Sequence, residues 1–165
     1  MRQPILISAC LLGMPCRYDG NSKPLPQLVE LIKQKQIIIP FCPEIQGGLS
    51  IPRLPAEIVD GDGAMVLNGK ARVINENGED YSEQFLKGAA AVLRMAKELN
   101  PELIILKSKS PSCGIGEIYD GSFGRSLKQG HGVTAALLKQ ANFRLCSEVE
   151  FLNGITTQMT TDYID

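Results

Sequence analysis

The sequence has no long apolar run, no excess of charge of either sign and only one histidine. Its 165 residues carry 17 basic and 18 acidic side chains, for a net charge of −1, so it lacks the positive surplus that binds nucleic acid. No apolar stretch approaches the roughly 18–20 residues that cross a bilayer. The first apolar run, residues 4–9, is too short and ends too abruptly to be a signal peptide. We therefore expect a cytoplasmic protein with no nucleic-acid or membrane partner.

Cysteine is scarce, and its number is odd. Five cysteines in a chain without a secretion signal argue against a disulfide framework. In a reducing compartment a free cysteine is usually a small buried hydrophobe, a metal ligand or a nucleophile. The chain has no C-x₂-C pair. A structural zinc site, which normally closes around four ligands that often come in such pairs, is therefore disfavoured.

What the sequence does contain is the composition of one globular domain. Hydrophobic residues make up 44% of it and charged residues 21%, which is typical of soluble globular proteins. The length is enough to bury a hydrophobic core, and we find no internal repeat, low-complexity tract or linker. These features predict a single domain over residues 1–165.

Short apolar segments alternate with amphipathic ones along the chain. The alternation predicts an α/β fold with a mostly parallel, Rossmann-like sheet flanked by helices. Asn68-Gly69 lies between apolar residues 64–67 and 71–74 and indicates an inserted β-hairpin. Asp80 and Glu83 resemble a capping box. Residues 43–60 and 108–132 are predicted to be long loops. The predicted strands are 4–9, 36–42, 103–107 and 143–146, and the predicted helices are 25–35, the segment after Asp80 up to residue 99, and 133–141.

Three cysteines stand at or just beyond the ends of predicted strands. Cys10 follows the first strand, Cys42 ends the second, and Cys113 comes shortly after the strand 103–107. In parallel α/β sheets, ligands bind beyond the carboxyl ends of the strands. We therefore expect these cysteines to meet at one edge of the sheet.

The cysteines lie in three segments rich in glycine and proline, residues 8–20, 42–53 and 107–121. Such residues let the backbone turn tightly and approach a ligand closely, and long irregular loops in a compact domain are usually functional. Cys10 and Cys16 form a C-x₅-C pair, a weak signal that Cys113 strengthens. Thiolates select zinc, copper(I) or iron–sulfur clusters, and a cluster does not require regular local spacing. A cluster held by three cysteines would leave one iron open to a substrate.

Four motifs together resemble the 2-thiouracil desulfurase (TudS) family, formerly a domain of unknown function. They are SACLLG with CRYDG, CPEIQGGLSIPRLPAEI, LKSKSPSCGIGEIYDG and GVTAALL, and the resemblance runs from residue 5 to about residue 148. It implies a catalytic [4Fe-4S] cluster held by Cys10, Cys16 and Cys113. It also implies a non-redox, hydrolase-like reaction in which oxygen from water replaces the thiocarbonyl sulfur of a small thiolated pyrimidine.

The same resemblance assigns two catalytic side chains. Glu44 matches the acid/base carboxylate, which would take a proton from the attacking water. Ser110 is the best match for a serine that positions the substrate, with Ser108 and Ser112 as close alternatives. The physiological substrate and the oligomeric state stay open.

Alternative interpretations remain at this stage. The protein could be a non-catalytic iron–sulfur or zinc protein that serves as a sensor or sulfur carrier. It could also be an enzyme with Cys113 as nucleophile, which would need His131 as its base. Cys42 could be a fourth ligand, although the pattern favours three. The remaining side chains of interest are expected to be structural: Cys146 in the core, His131 in an exposed loop, and Arg17, Asp19, Arg53 and Glu57 in an ion-pair scaffold.

Overall fold

The computed structural model describes residues 3–34 and 36–161. Its centre is a parallel β-sheet with helices on both faces, so the predicted fold class is confirmed. In chain order the elements are β1 (Ile5–Ser8), a 3₁₀ turn (Ala9–Leu12), α1 (Pro26–Lys33), β2 (Ile38–Phe41), α2 (Pro43–Gln46), β3 (Ala56–Val59), α3 (Gly63–Leu67), β4 (Arg72–Asn75), α4 (Ser82–Leu99), β5 (Leu103–Leu106), β6 (Glu117–Tyr119), β7 (Leu127–Gln129), α5 (Val133–Gln140), β8 (Leu145–Ser147) and α6 (Glu148–Thr161).

The central sheet has the strand order β2-β1-β5-β8, and every neighbouring pair is parallel. The chain first moves outward from β1 to β2, then returns to the other side of β1 to form β5 and β8. The order therefore reverses between β1 and β5. The carboxyl ends of strands at such a reversal border the crevice in which α/β proteins bind ligands.

Alternate residues of the central strands face different helices. Leu6 and Ile104 lie in a core with residues of α4 and α5, whereas Ile7 and Ile105 lie in a second core with Leu28 of α1. All five side chains are fully buried, and each contributes about 1.5–3 kcal/mol by leaving water. No helix in the described part of the chain is both long and apolar enough to cross a bilayer.

The inserted strand pair differs from the predicted hairpin. β3 and β4 pair antiparallel, but α3 separates them, and residues 64–67, predicted to be a strand, lie in that helix. Asp62 caps the helix by accepting a 3.1 Å hydrogen bond from the N–H of Met65. Asn68 and Gly69 then end the helix, with Gly69 in the left-handed region at φ 70°. A glycine of positive φ serves helix ends as well as hairpin turns, so the local signal is ambiguous.

Both segments predicted to be long loops contain regular structure. Residues 43–60 include α2 and β3, and residues 108–132 include the antiparallel pair β6 and β7. The predicted helix 25–35 is observed as α1, and Lys35 is outside the described residues. The predicted capping box does not form: the N-cap residue of α4 is Tyr81, and Asp80, one residue earlier, accepts a 2.8 Å hydrogen bond from the N–H of Ser82.

Candidate active site

A cavity of about 900 Å³ is lined by residues at the carboxyl ends of the central strands. Cys10 lies in the 3₁₀ turn that directly follows β1, and this turn ends at Gly13 in the left-handed region. Cys42 directly follows β2 and caps the short helix α2. Cys16 and Cys113 reach the same cavity from the loops after β1 and β5. The prediction that Cys10, Cys42 and Cys113 meet at one edge of the sheet is therefore confirmed, and Cys16 lies with them.

The thiols are buried and interact with one another. Cys10, Cys16 and Cys113 are between 5% and 8% exposed. A hydrogen bond shared with Cys10 is the main cause that raises the pKa of Cys16, and burial adds to it. A hydrogen bond with Cys16, together with burial, raises the pKa of Cys42. To bind a metal, these thiols would have to give up their protons.

Cys113 lies deepest, beside the crevice between β1 and β5. Burial raises the pKa of its thiol, whereas a hydrogen bond from the hydroxyl of Ser8 lowers it in part. Ser8, the last residue of β1, also accepts a 3.0 Å hydrogen bond from the N–H of Lys107. This hydroxyl therefore joins the ends of the two strands that border the crevice.

The donor set suits a metal cluster better than a single ion. Among the side chains that the structure describes, no three of Cys, His, Asp or Glu are close enough together to hold one metal ion. In an iron–sulfur cluster, each thiolate binds a separate iron, so the sulfur atoms need not converge on one point. Several buried thiols lining one large cavity fit that requirement.

Glu44 enters the same cavity from the first turn of α2. Its Oε2 accepts hydrogen bonds from Nε of Arg53, at 2.9 Å, and from Nη2 of Arg53. Its Oε1 accepts a 3.3 Å bond from the hydroxyl of Ser112. The Arg53 side chain is only 4% exposed, and its Nη2 also donates to the carbonyl of Cys16 at 3.2 Å. The guanidinium thus joins the carboxylate to the backbone of the cysteine loop.

The three candidate serines have different partners. Ser110 Oγ accepts hydrogen bonds from the N–H groups of Ser112 and Cys113, both at 3.1 Å, and so shapes the turn that carries Cys113. Ser112 is 1% exposed and is the serine that contacts Glu44. Ser108 donates its hydroxyl to Glu148 at 2.8 Å. All three line the cavity.

Glu148 is a buried site residue that sequence reasoning missed. Its Oε1 accepts a 2.7 Å hydrogen bond from Nζ of Lys107, and its Oε2 accepts a 2.7 Å bond from the N–H of Ser108. Burial alone would raise the pKa of Glu148, but the hydrogen bonds and charge of Lys107, together with Ser108, hold it below its ordinary value. Glu148 directly follows β8, so the strand-end rule that singled out the cysteines could have found it.

The expected ion-pair scaffold forms only in part. Arg17 lies 3.9 Å from Asp19, but Arg53 pairs with Glu44. Glu57 instead accepts backbone hydrogen bonds from Gly121 and Phe123.

Two further expectations concern Cys146 and His131. Cys146 packs against a core as expected, and burial raises its pKa to about 11. His131 is half-buried rather than exposed. Its Nδ1 accepts a hydrogen bond from the N–H of Gly116, and its Nε2 lies 3.1 Å from Nζ of Lys139. Burial and the charge of Lys139 lower its pKa.

No histidine of the described chain lines the cavity. The raised pKa of Cys113 further disfavours the cysteine-nucleophile alternative, which needs a thiolate and a base.

The fold and the site together define a Rossmann-like α/β protein with a thiol-lined cavity at the reversal point of its sheet. Residues 5–150 match the profile of the 2-thiouracil desulfurase family. The chain therefore belongs to that family of enzymes, as its motifs indicate.

Two relatives show how far the similarity extends. The uncharacterized protein YbbK of Bacillus subtilis (strain 168) is 49% identical over 151 residues, which cover 92% of this chain and 99% of YbbK. A solved structure described as a [4Fe-4S]-dependent thiouracil desulfidase, TudS, is 35% identical and has a TM-score of 0.80, covering 96% of this chain and 99% of the TudS chain. The similarity thus spans the whole fold and includes every segment that lines the cavity.

Proposed function

We propose that the chain is an iron–sulfur-dependent desulfurase that replaces the thiocarbonyl sulfur of a thiolated pyrimidine, such as 2-thiouracil, with oxygen from water. One observation carries this proposal: the buried thiols line the same cavity as the carboxylate of Glu44, which is held by a hydrogen bond from Arg53. The family membership and the similarity to TudS support it. Residues from position 8 to position 148 line the cavity, which supports one desulfurase-like domain over residues 1–165.

Cys10, Cys16 and Cys113 are the proposed ligands of a [4Fe-4S] cluster. They are the most buried of the cavity thiols, and the solved relative is described as [4Fe-4S]-dependent. When bound, a cluster with three protein ligands supplies an open iron that binds soft thiocarbonyl sulfur and makes the attached carbon electrophilic. Cys42 is left as a thiol beside Cys16.

Glu44 is the proposed general base. Arg53 holds Oε2 of the carboxylate and Ser112 donates to Oε1, which fixes the carboxylate plane and leaves Oε1 a lone pair for water. The carboxylate takes one proton as the water oxygen bonds to the substrate carbon. The C–S bond then breaks as the new hydroxyl group becomes C=O, and both water protons leave with the sulfur as hydrogen sulfide, which returns Glu44 to its ionised form. No electron is gained or lost overall. General base catalysis of this kind contributes about 10²–10⁴-fold.

Ser110 is the proposed substrate-positioning residue. Its oxygen accepts two backbone N–H groups, but its own hydroxyl proton remains available for donation. Because Ser110 lines the cavity, that proton can be donated to a heteroatom of the substrate. The two backbone bonds would hold the hydroxyl in one orientation while it does so.

Anaerobic cluster reconstitution followed by a sulfide-release assay on 2-thiouracil tests this function. We expect sulfide release that requires the iron and that falls at least about 100-fold in Glu44→Gln, while the iron content stays that of the wild type. Glu30→Gln, on the exposed face of α1, is the matched control and should behave as the wild type. A fully loaded protein that releases no sulfide would contradict the proposal and favour the non-catalytic cluster protein.

A further inference from the structure

Part of the cavity wall is aromatic. Tyr18, Tyr119 and Phe123 line it, although the whole chain has only four tyrosines and five phenylalanines. Tyr119 is the last residue of β6, and Phe123 lies in the loop that joins β6 to β7. The face of an aromatic ring stacks well on any flat heterocycle. None of these three aromatic residues is among the residues assigned a role above.

The loop that carries Phe123 has a strained backbone. Phe123 and Arg125 adopt φ values of 59° and 64°, in the left-handed region that disfavours residues other than glycine. Such conformations persist only where the surrounding structure enforces them, and they concentrate at ligand sites. The position of the Phe123 ring is therefore set by something outside the loop.

Glu57 of β3 supplies that restraint. Its Oε2 accepts hydrogen bonds from the N–H of Gly121 at 2.8 Å and of Phe123 at 3.0 Å. Lys128 adds a second attachment, because its Nζ donates to the carbonyls of Ile58, at 2.7 Å, and Asp120, at 3.2 Å. The loop is thus held against β3 on both sides of its strained residues.

The other oxygen of Glu57 is free to act on a ligand. Glu57 is 8% exposed and lines the cavity, yet among the described residues nothing donates to its Oε1. This oxygen is not among the fully buried polar atoms that lack a hydrogen-bond partner, so it is open to the cavity, where a donor on a ligand can take the place of water. Thiopyrimidines carry a ring N–H next to the thiocarbonyl, and that group is a donor of the required kind.

Given the proposed desulfurase function, we infer that Phe123 and Glu57 recognise the substrate ring. The Phe123 side chain stacks on the flat heterocycle, and Oε1 of Glu57 accepts a ring N–H. Oε2 of the same carboxylate keeps Phe123 in place. Glu57 therefore both binds the edge of the substrate ring and positions the Phe123 side chain that stacks on its face. The enzyme is therefore selective for planar cyclic thioamides over small acyclic ones.

A fluorescence titration tests the stacking contact without any catalysis. The chain has no tryptophan, so Phe123→Trp introduces a single emitter into the proposed stacking position. We expect uracil to quench its emission in the cluster-loaded protein, and Glu57→Gln in the same background to weaken binding about tenfold. Phe143→Trp, which places the emitter against the hydrophobic core, is the control and should show no quenching. Uracil that leaves the emission of the Phe123→Trp protein unchanged would overturn the stacking assignment.

Kinetics on two substrates test the selectivity. Phe123→Leu should raise KM for 2-thiouracil about tenfold and lower the preference for 2-thiouracil over thioacetamide, which has no ring to stack, by about the same factor. An equal loss on both substrates would overturn the recognition role and leave a structural one. If the loaded wild type releases sulfide from neither compound, the proposed function fails, while uracil quenching at position 123 still decides between recognition and no recognition.

Discussion

At the scale of single residues, the hydrogen-bond partners of Ser110 and Ser112 predict different variants. Ser112→Ala removes the donor to Oε1 of Glu44, so the carboxylate is less well oriented. We expect kcat to fall about tenfold, the usual effect of losing one hydrogen bond to a charged group, with the iron content unchanged. Steady-state sulfide release together with iron analysis measures both quantities.

Ser110→Ala is the companion variant. It removes the acceptor for two N–H groups in the turn that carries Cys113, and we expect a loss of about 1 kcal/mol in the free energy of unfolding. Because Ser110 is also the proposed substrate-positioning residue, KM should rise as well. A Ser112→Ala protein with wild-type kcat would show that its bond to Glu44 has no part in catalysis.

The ligand assignment predicts a division among the five cysteines. Serine at position 10, 16 or 113 should abolish or strongly reduce the iron bound after reconstitution, because each change removes one of three thiolates. Cys42→Ser should keep the iron, since Cys42 is proposed to remain a thiol. Cys146→Ser changes a cysteine that packs against the core but does not line the cavity, and it is the control for the cysteine-to-serine change itself. Loss of the cluster in Cys42→Ser would mean four protein ligands, which leaves no open iron.

At the scale of elements, α2 carries Glu44 and is placed by close packing against α4. The two helices meet at glycines: a Cβ on Gly88 would lie 1.9 Å from the carbonyl oxygen of Pro43, and one on Gly47 would lie 2.0 Å from that of Gln84. Gly88→Ala therefore forces α2 away. We expect a loss of about 1–3 kcal/mol in the free energy of unfolding, measured by denaturant titration, and a lower kcat as Glu44 shifts.

Gly154→Ala is the matched control for that prediction. Gly154 lies in α6 and is exposed, and a Cβ added there would meet no atom within 4 Å outside its own helix. The same substitution there should raise the free energy of unfolding by up to about 1 kcal/mol, because alanine favours the helix. If both variants changed stability in the same direction, helix propensity rather than packing would dominate at Gly88.

The central elements were predictable because they bury continuous apolar runs. β1 and β5 read Ile-Leu-Ile and Leu-Ile-Ile-Leu, and α4 has a clear apolar face. The smaller strands were missed for the opposite reason. β6 and β7 have three residues each and mostly polar or exposed side chains, so their pairing depends on tertiary contacts that local pattern does not record.

At the scale of the molecule, the convergence of the cysteines could be predicted, but their partners could not. The carboxyl ends of parallel strands share an edge whatever the side chains are, so Cys10, Cys42 and Cys113 could be placed from strand positions alone. The basic side chain that pairs with Glu44 is determined by the path of the loop before β3, and tertiary packing sets that path. For that reason Arg53 was expected in a scaffold with Glu57 rather than against Glu44.

Acid should weaken the fold through Glu148. Its carboxylate is almost fully buried with Lys107 and Ser108 as donors, and its pKa in the folded chain lies below the ordinary value of 4.5. The unfolded chain therefore takes up the proton first as pH falls. The stability contributed by Glu148 is complete above pH 4.5 and is lost as the pH falls through the folded pKa.

Glu148→Gln isolates this contribution in cluster-free protein. We expect it to cost about 2–3 kcal/mol at pH 7, because it leaves the Lys107 ammonium without its partner, and to lose less further stability than the wild type below about pH 4.5. Denaturant titrations from about pH 7 to about pH 3 measure the two curves, which should approach each other in acid. Lys107→Met is the reciprocal variant: without the ammonium the Glu148 pKa should rise, so its curve should also approach the wild-type curve as the pH falls. Curves that stay parallel for both variants would show that the pair contributes nothing to the acid sensitivity of the fold.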